Sequence, residues 1–147
     1  MSTHFSVSIH CLLLLSMQMP ERITSAVIAS SINTNPVVVR RTMAYLKKAG
    51  MVTSSPGTRG FYLAMPSDQI NLAMVYRATK DQGPLFSIHS DTNQNCEVGR
   101  SIDQLLSGIY GLAENKVLQF FETVTLQELE QSLREQINEE DCAEGRT

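Results

Sequence analysis

Apolar positions recur at helical spacing from the start of the chain. Phe5, Ile9, Leu12, Leu13 and Met17 place an amphipathic helix at residues 3–17, which Pro20 ends. A second, short helix starts after Thr24, whose hydroxyl suits an N-cap, with Ile23 and Ile28 spaced as a hydrophobic staple, and it closes near Ser31. Ile32-Asn33-Thr34-Asn35 is rich in turn formers. Pro36 then takes the favoured first position of a third helix capped by Asn35. Lys47 and Lys48 complement the carbonyl end of that helix, and Gly50 supplies its left-handed closing residue.

Two short apolar runs follow, Met51-Val52-Thr53 and Phe61-Tyr62-Leu63, with Ser54 to Gly60 between them, and they read as a β-hairpin with a basic tip. Ile70 and Val75 repeat the staple around an Asn71 cap, giving a helix over 72–79. Residues 81–99 hold no sustained period and include Gly83-Pro84 and Asn93-Gln94-Asn95, so they form a loop. From Ser101 one stripe of Ile102, Leu105, Leu106, Ile109, Ala113, Val117, Phe120 and Val124 predicts a single long helix. At 1.5 Å per residue it spans roughly 35 Å, more than the first 80 residues can cover. The surplus stripe, with Leu112 and Phe121 beside it, predicts packing on a symmetry mate. Thr125 to Glu128 matches a capping box with Val124 and Leu129 as its staple, so a last helix runs to about Ile137, followed by a frayed Glu139-Glu140-Asp141 tail.

Helix, short turn, helix and hairpin describe a winged helix-turn-helix. The expected fold is mainly α with a small β-hairpin. Residues 1–80 make the winged helix-turn-helix DNA-binding domain, 81–99 a loop with a candidate sensor cysteine, and 100–147 the dimerisation helix and C-terminal helix with its tail. A length of 147 residues, 42% of them hydrophobic, suits one domain with an appendage and excludes long disorder. The Leu12 to Leu15 run is too short for a membrane span and lacks the basic lead of a signal peptide, which predicts a soluble, cytoplasmic protein.

Charge changes the picture more than composition does. The net charge of −3 conceals a division at residue 80: eight basic and two acidic residues before it, four basic and thirteen acidic after it. The basic half can dock on phosphates while the acidic half faces away. If Val39, Met43 and Leu46 point inward, the third helix presents Val37, Arg40, Arg41, Ala44 and Lys48 outward, a side narrow enough for a major groove. Arg40 and Arg41 suit guanine O6 and N7 as well as phosphate oxygens, and spacing alone leaves both open. Thr34, Asn35 and the free N–H groups around Pro36 can hold a phosphate. Arg59 at the hairpin tip can reach a minor groove, and Thr24, Ser25 and Thr58 complete the DNA-binding candidates.

These residues also carry a family likeness. The runs Ile28-Ala29, Ile32 to Arg41, Leu46 to Val52, Ser55-Pro56-Gly57 and Gly60 to Ala64 closely resemble the Rrf2 family of bacterial winged-helix transcription regulators, and the similarity spans nearly the whole chain. The resemblance implies homodimers that bind near-palindromic operators and repress transcription, often releasing them on a redox, nitrosative or metabolic signal. Two departures stand out. The family's paired hairpin glycines are replaced by Arg59-Gly60, and cluster-binding members place three cysteines between the DNA-binding unit and the long helix, where this chain has Cys96 alone. A cluster normally needs about four ligands, so the likeness is to the cluster-free subgroup and no cofactor is expected.

Cys11, Cys96 and Cys142 form no CxxC pair and suit a reducing compartment. Cys96 lies ahead of a helix start and four residues before Arg100, both of which favour a thiolate, while Glu97 opposes it. It is the redox-sensing candidate, and the resemblance adds that cluster-free relatives look like thiol switches. His4, His10 and His89 lack metal spacing, and the methionines follow core faces. An enzyme using Cys96 and His89 is disfavoured, because no orienting group, phosphate loop or paired-carboxylate arrangement accompanies them. Two alternatives to an oxidant-responsive repressor stay open. One is a regulator gated by a small metabolite held near Phe86, Tyr110 and Phe120, and the other is a winged-helix protein-interaction module without DNA binding.

Overall fold

Local caps decide where most helices begin. The computed structural model describes residues 3–17, 23–54, 60–79 and 84–145, and among these are six helices and one two-stranded sheet. Helix α1 (His4–Met17) is the central rod, packed against the next three helices, the second hairpin strand and the last helix. Its Cys11, Leu12 and Leu15 are buried, and the one polar side chain at that depth, Ser8, donates its hydroxyl hydrogen to the His4 carbonyl at 2.8 Å. No described helix is long and apolar enough to cross a membrane.

Helix α2 (Ser25–Ile32) starts where the Thr24 hydroxyl accepts the Val27 N–H at 3.2 Å. Asn33, left-handed at φ 60°, ends it, and the Thr34 N–H returns to the Ala29 carbonyl at 2.9 Å. Two residues later α3 (Pro36–Lys48) begins on the Asn35 cap, whose Oδ1 accepts the Val37 N–H at 2.9 Å. At its other end Gly50 sits at φ +81°, and the Met51 N–H closes on the Leu46 carbonyl at 3.0 Å. The hairpin pairs β1 (Val52–Ser54) with β2 (Phe61–Leu63) antiparallel, Thr53 opposite Tyr62. On its far edge β2 is tied to the α2 entry by the Phe61 N–H, which donates to the Ile23 carbonyl at 2.9 Å.

Asn71 caps α4 (Leu72–Thr79), its Oδ1 accepting the Met74 N–H at 3.0 Å. The long helix α5 (Glu97–Glu122) and α6 (Leu126–Ala143) follow. The capping box at Thr125 and Glu128 is formed in both directions. Where α5 turns into α6, the chain runs antiparallel to the α4 entry: Leu72 N–H to the Val124 carbonyl at 3.0 Å and Leu126 N–H to the Ile70 carbonyl at 2.8 Å.

Four features depart from the sequence reading. A 3-10 turn at Ser67–Gln69 follows Pro66, a segment too short to show periodicity. Helix α5 begins at Glu97, four residues before its expected start, because its first turn carries polar or exposed residues and so leaves no core signature. Helix α6 continues to Ala143 instead of ending near Ile137 with a frayed tail. The acidic run after Ile137 lacks apolar residues but contains helix-forming glutamates and no breaker before Gly145, at φ +69°. Finally, α6 folds back on α1 and the 3-10 turn, and Leu126, 2% exposed, joins the core of the first 80 residues.

Replacing Leu126 by alanine therefore removes a buried core side chain, and urea unfolding of Leu126→Ala is expected to show a loss of about 2–5 kcal/mol. A cost under about 0.5 kcal/mol would mean that α6 is not part of the folded core.

Candidate nucleic-acid interface

The inner side of α3 is fully packed. Val39, Met43 and Leu46 are 0–2% exposed, and Thr42, also buried, donates its hydroxyl hydrogen to the Val38 carbonyl at 2.9 Å. With that side fixed, Val37, Arg40, Arg41, Ala44 and Lys48 are all exposed, as the periodicity requires. Among the described residues neither arginine takes part in an ion pair, so both guanidinium forks remain available. Lys47 instead reaches across to the hairpin and donates to the Ser54 hydroxyl at 3.1 Å.

Asn35 is exposed and Thr34 and Pro36 half-buried at the N-terminal end of α3, where the free N–H groups expected from the sequence are already engaged, Val37 by the Asn35 side chain and Val38 and Val39 by the Asn35 carbonyl, so the helix dipole alone supplies positive potential there. Thr24 and Ser25 are half-buried at the start of α2, and the Thr24 oxygen is engaged in its cap. Thr58 and Arg59 lie outside the described residues.

Helix α5 divides the predicted stripe into two. Ile102, Leu106, Ala113 and Val117 are half-covered by their own chain, whereas Leu105, Ile109 and Phe120 are more than half exposed. Val98 and Leu112, at 67% and 69% exposure, extend the open edge; the sequence reading set Leu112 beside the stripe and left Val98 out. The covered side is held by ring contacts of Phe121 on Phe5 (5.3 Å) and Tyr110 on Phe86 (5.4 Å). Two polar ties join α4 to α5: Tyr76 donates to the Glu114 carboxylate at 2.8 Å, and Arg77 pairs with Glu122 at 2.9 Å. Burial, and then the Glu114 carboxylate, push the Tyr76 phenol up to about 12.

Phe86, Tyr110 and Phe120 do not line one pocket. Phe86 stacks on Tyr110 and Phe120 lies by Phe121, 6.1 Å away, ten residues further along the helix, which is about 15 Å. Cys96 is exposed at the N-cap position of α5 without a side-chain capping bond, and Arg100 lies at 4.0 Å from Glu97. Sequence reading missed Gly99. The loop folds over the first turn of α5 there, with Thr92 donating to the Gly99 carbonyl, and a Cβ on Gly99 would come within 2.3 Å of the Asn93 carbonyl oxygen. Only its lack of a side chain could have marked it.

Comparison with known proteins agrees with this geometry. The family model described as "Rrf2: Iron-dependent Transcriptional regulator" matches residues 1–132. YwnA of Bacillus subtilis (strain 168), which bears the name of an HTH-type transcriptional regulator, is 44% identical over 105 residues, covering 71% of this chain and 77% of that protein. A solved structure described as a DNA-binding protein is 33% identical and superposes with a TM-score of 0.70 over 86% of this chain and 97% of that one. CymR, the global cysteine regulator of B. subtilis, shares the fold at 20% identity, with a TM-score of 0.62 over 89% of this chain and 95% of that one.

The iron in that family description finds no matching ligand set. Cys11 is buried, Cys96 opens α5, Cys142 lies near the end of α6, and no three His, Cys, Asp or Glu side chains among the described residues converge on a metal position.

Burial pushes the Cys11 thiol from 9.0 up to about 12. In the native protein iodoacetamide is expected to label Cys96 and Cys142 but not Cys11, read by peptide mass spectrometry. Unfolded chains lose the Cys11 proton near pH 9 and folded ones near 12, so this contribution to stability is complete below pH 9 and falls as pH rises from there towards 12. Native labelling of Cys11 at the rate of Cys96 would refute its burial.

Proposed function

The chain belongs to the Rrf2 family of transcriptional regulators, and on that premise we propose that it is a homodimeric, sequence-specific DNA-binding repressor whose reading element is α3. Regulators of this family are non-enzymatic DNA-binding proteins. The observation that carries the reading is the division of α3 into a buried apolar side and an exposed side bearing Arg40, Arg41 and Lys48. The two arginines suit guanine edges or phosphates, Val37 at 50% exposure suits a thymine methyl, and Thr34, Asn35 and Pro36 place the helix start against a phosphate. Thr24 and Ser25 at the α2 start are assigned to backbone contacts, and Arg59, with Thr58 before it in the chain, to the minor groove.

Dimerisation through α5 is supported by its open edge, where Val98, Leu105, Ile109, Leu112 and Phe120 are 51–69% exposed. A stable interface buries about 800 Å² per partner, and a 26-residue helix with one apolar edge open supplies a continuous surface of that kind. Two copies joined this way present paired α3 helices to the half-sites of a near-palindromic operator. Redox response is assigned to Cys96, which is exposed at a helix start.

Selection of bound genomic fragments followed by fluorescence anisotropy tests the reading. Affinity should fall steeply with salt, and Arg40→Ala or Arg41→Ala should cost about 1–3 kcal/mol if the side chain reads a base. Peroxide should release the operator from the native chain but not from Cys96→Ser. Absence of any duplex preference would make the fold an interaction module.

Sedimentation equilibrium should find a dimer at micromolar concentration and a monomer for Ile109→Glu, which would bury an unpaired charge in the interface. A native monomer would overturn the α5 assignment.

A further inference from the structure

We propose that the cleft between α1, β2 and α6 binds a free α-amino acid with an apolar side chain. The cavity there measures about 350 Å³, within the range of small-molecule sites, about 300–1,000 Å³. It is lined by apolar Leu15, Ile23, Phe61 and Leu63, by Tyr62, and by polar Ser16, Ser67 and Glu130. A second depression of about 420 Å³ shares Ser67 and Glu130 and adds Arg134 with two glutamines. The two adjoin at the shared residues, and the second carries the charged end, Glu130 with Arg134.

The charged end selects the ligand. The Glu130 side chain is only 19% exposed and has two distinct oxygens. Its Oε1 accepts the Arg134 Nε–H at 3.0 Å and lies 2.9 Å from Nη2, while Oε2 accepts the Ser16 hydroxyl. A carboxylate oxygen accepts two hydrogen bonds, so Oε2 keeps one position beside Ser16. Arg134 commits its Nε–H to Glu130, keeps N–H groups for a ligand and is half exposed. A ligand with a lone positive charge would meet the guanidinium, and one with a lone negative charge would meet the carboxylate. A zwitterion satisfies both, its ammonium on Glu130 Oε2 and the serine hydroxyls, its carboxylate on Arg134. Glu130 and Arg134, one helical turn apart, hold their charged groups in contact, so the two adjacent charges of an α-amino acid meet adjacent partners. The apolar walls then take the side chain.

Occupancy touches the hairpin and the α2 entry, both assigned DNA contacts beside α3. Phe61 and Leu63 belong to the hairpin strand, and Ile23 both accepts the Phe61 N–H and precedes the α2 cap. This second half of the inference builds on the DNA-reading proposal, whereas the site itself does not.

Calorimetric titration of the full chain with L-leucine and L-phenylalanine tests it. Saturable binding of at least one is expected. For the amino acid that binds, the des-amino acid and the carboxamide should each bind at least about tenfold more weakly. Glu130→Gln should weaken binding to a similar degree, and Ser67→Leu, on a half-exposed turn away from the core, should fill the mouth and abolish it. No binding of either amino acid up to about 10 mM overturns the site, and so does undiminished binding in Ser67→Leu. In anisotropy the bound amino acid should shift operator affinity at least about threefold. Unchanged affinity with binding retained would refute the coupling alone. A chain that binds the amino acid but no duplex would refute the DNA-reading proposal and leave the site standing.

Discussion

The docking of one side of α3 against α1 and α2 is the constraint on which the rest depends. Val39, Met43 and Leu46 are sealed from solvent, and each such side chain contributes about 1.5–3 kcal/mol when buried. An exposed ion pair contributes about 0–1 kcal/mol, so the core, not the arginines, fixes how α3 is rotated about its axis. Turning it by one residue would drive Arg40 into the position of Val39 and leave a charge without partners. The outward placement of Arg40, Arg41 and Lys48 thus follows from burial on the other side.

Helix α5 obeys the same rule with a different outcome. None of its residues is fully buried, although its apolar positions occupy about half the circumference. The chain covers one flank through Phe5, Phe86 and Tyr76 and leaves the other bare. Because α4 carries Tyr76 and Arg77, the polar ties that orient α5 originate in the unit that carries α3. A second copy on the bare flank, as proposed, would then sit at a distance from α3 that these ties through α4 help to set.

What could be read from sequence was local. Thr24, Asn35, Asn71 and Thr125 each act within three residues of themselves, so type and spacing reveal their caps. The two faces of α3 were equally legible because polar and apolar residues alternate at helical period. The first turn of α5 was not, since exposed polar residues and Gly99 imitate a loop, and Gly99 is required by contact with Asn93 rather than by any turn of its own. The return of α6 was hidden for another reason: it hinges on Leu126 and on the bond from Ser16 to Glu130, partners 114 positions apart. The Glu130–Arg134 pair is local, four residues apart on one helix, but its meeting with Ser16 exists only after tertiary packing.

That return also resolves the conflict between an acidic chain and a polyanionic partner. Exposed carboxylates Glu128, Glu135, Glu139 and Glu140 lie on α6, while Arg40, Arg41, Lys47 and Lys48 lie on α3. Helix α1 packs against both, whereas α3 and α6 meet at most marginally. A helix with its side chains is about 10–12 Å across, close to the screening length of about 10 Å at 0.1 M salt. Ions in the solvent around α1 therefore weaken the repulsion between the exposed acidic side chains of α6 and an anion at α3. Nearby phosphates feel the positive half of the protein, and the net charge of −3 describes neither face.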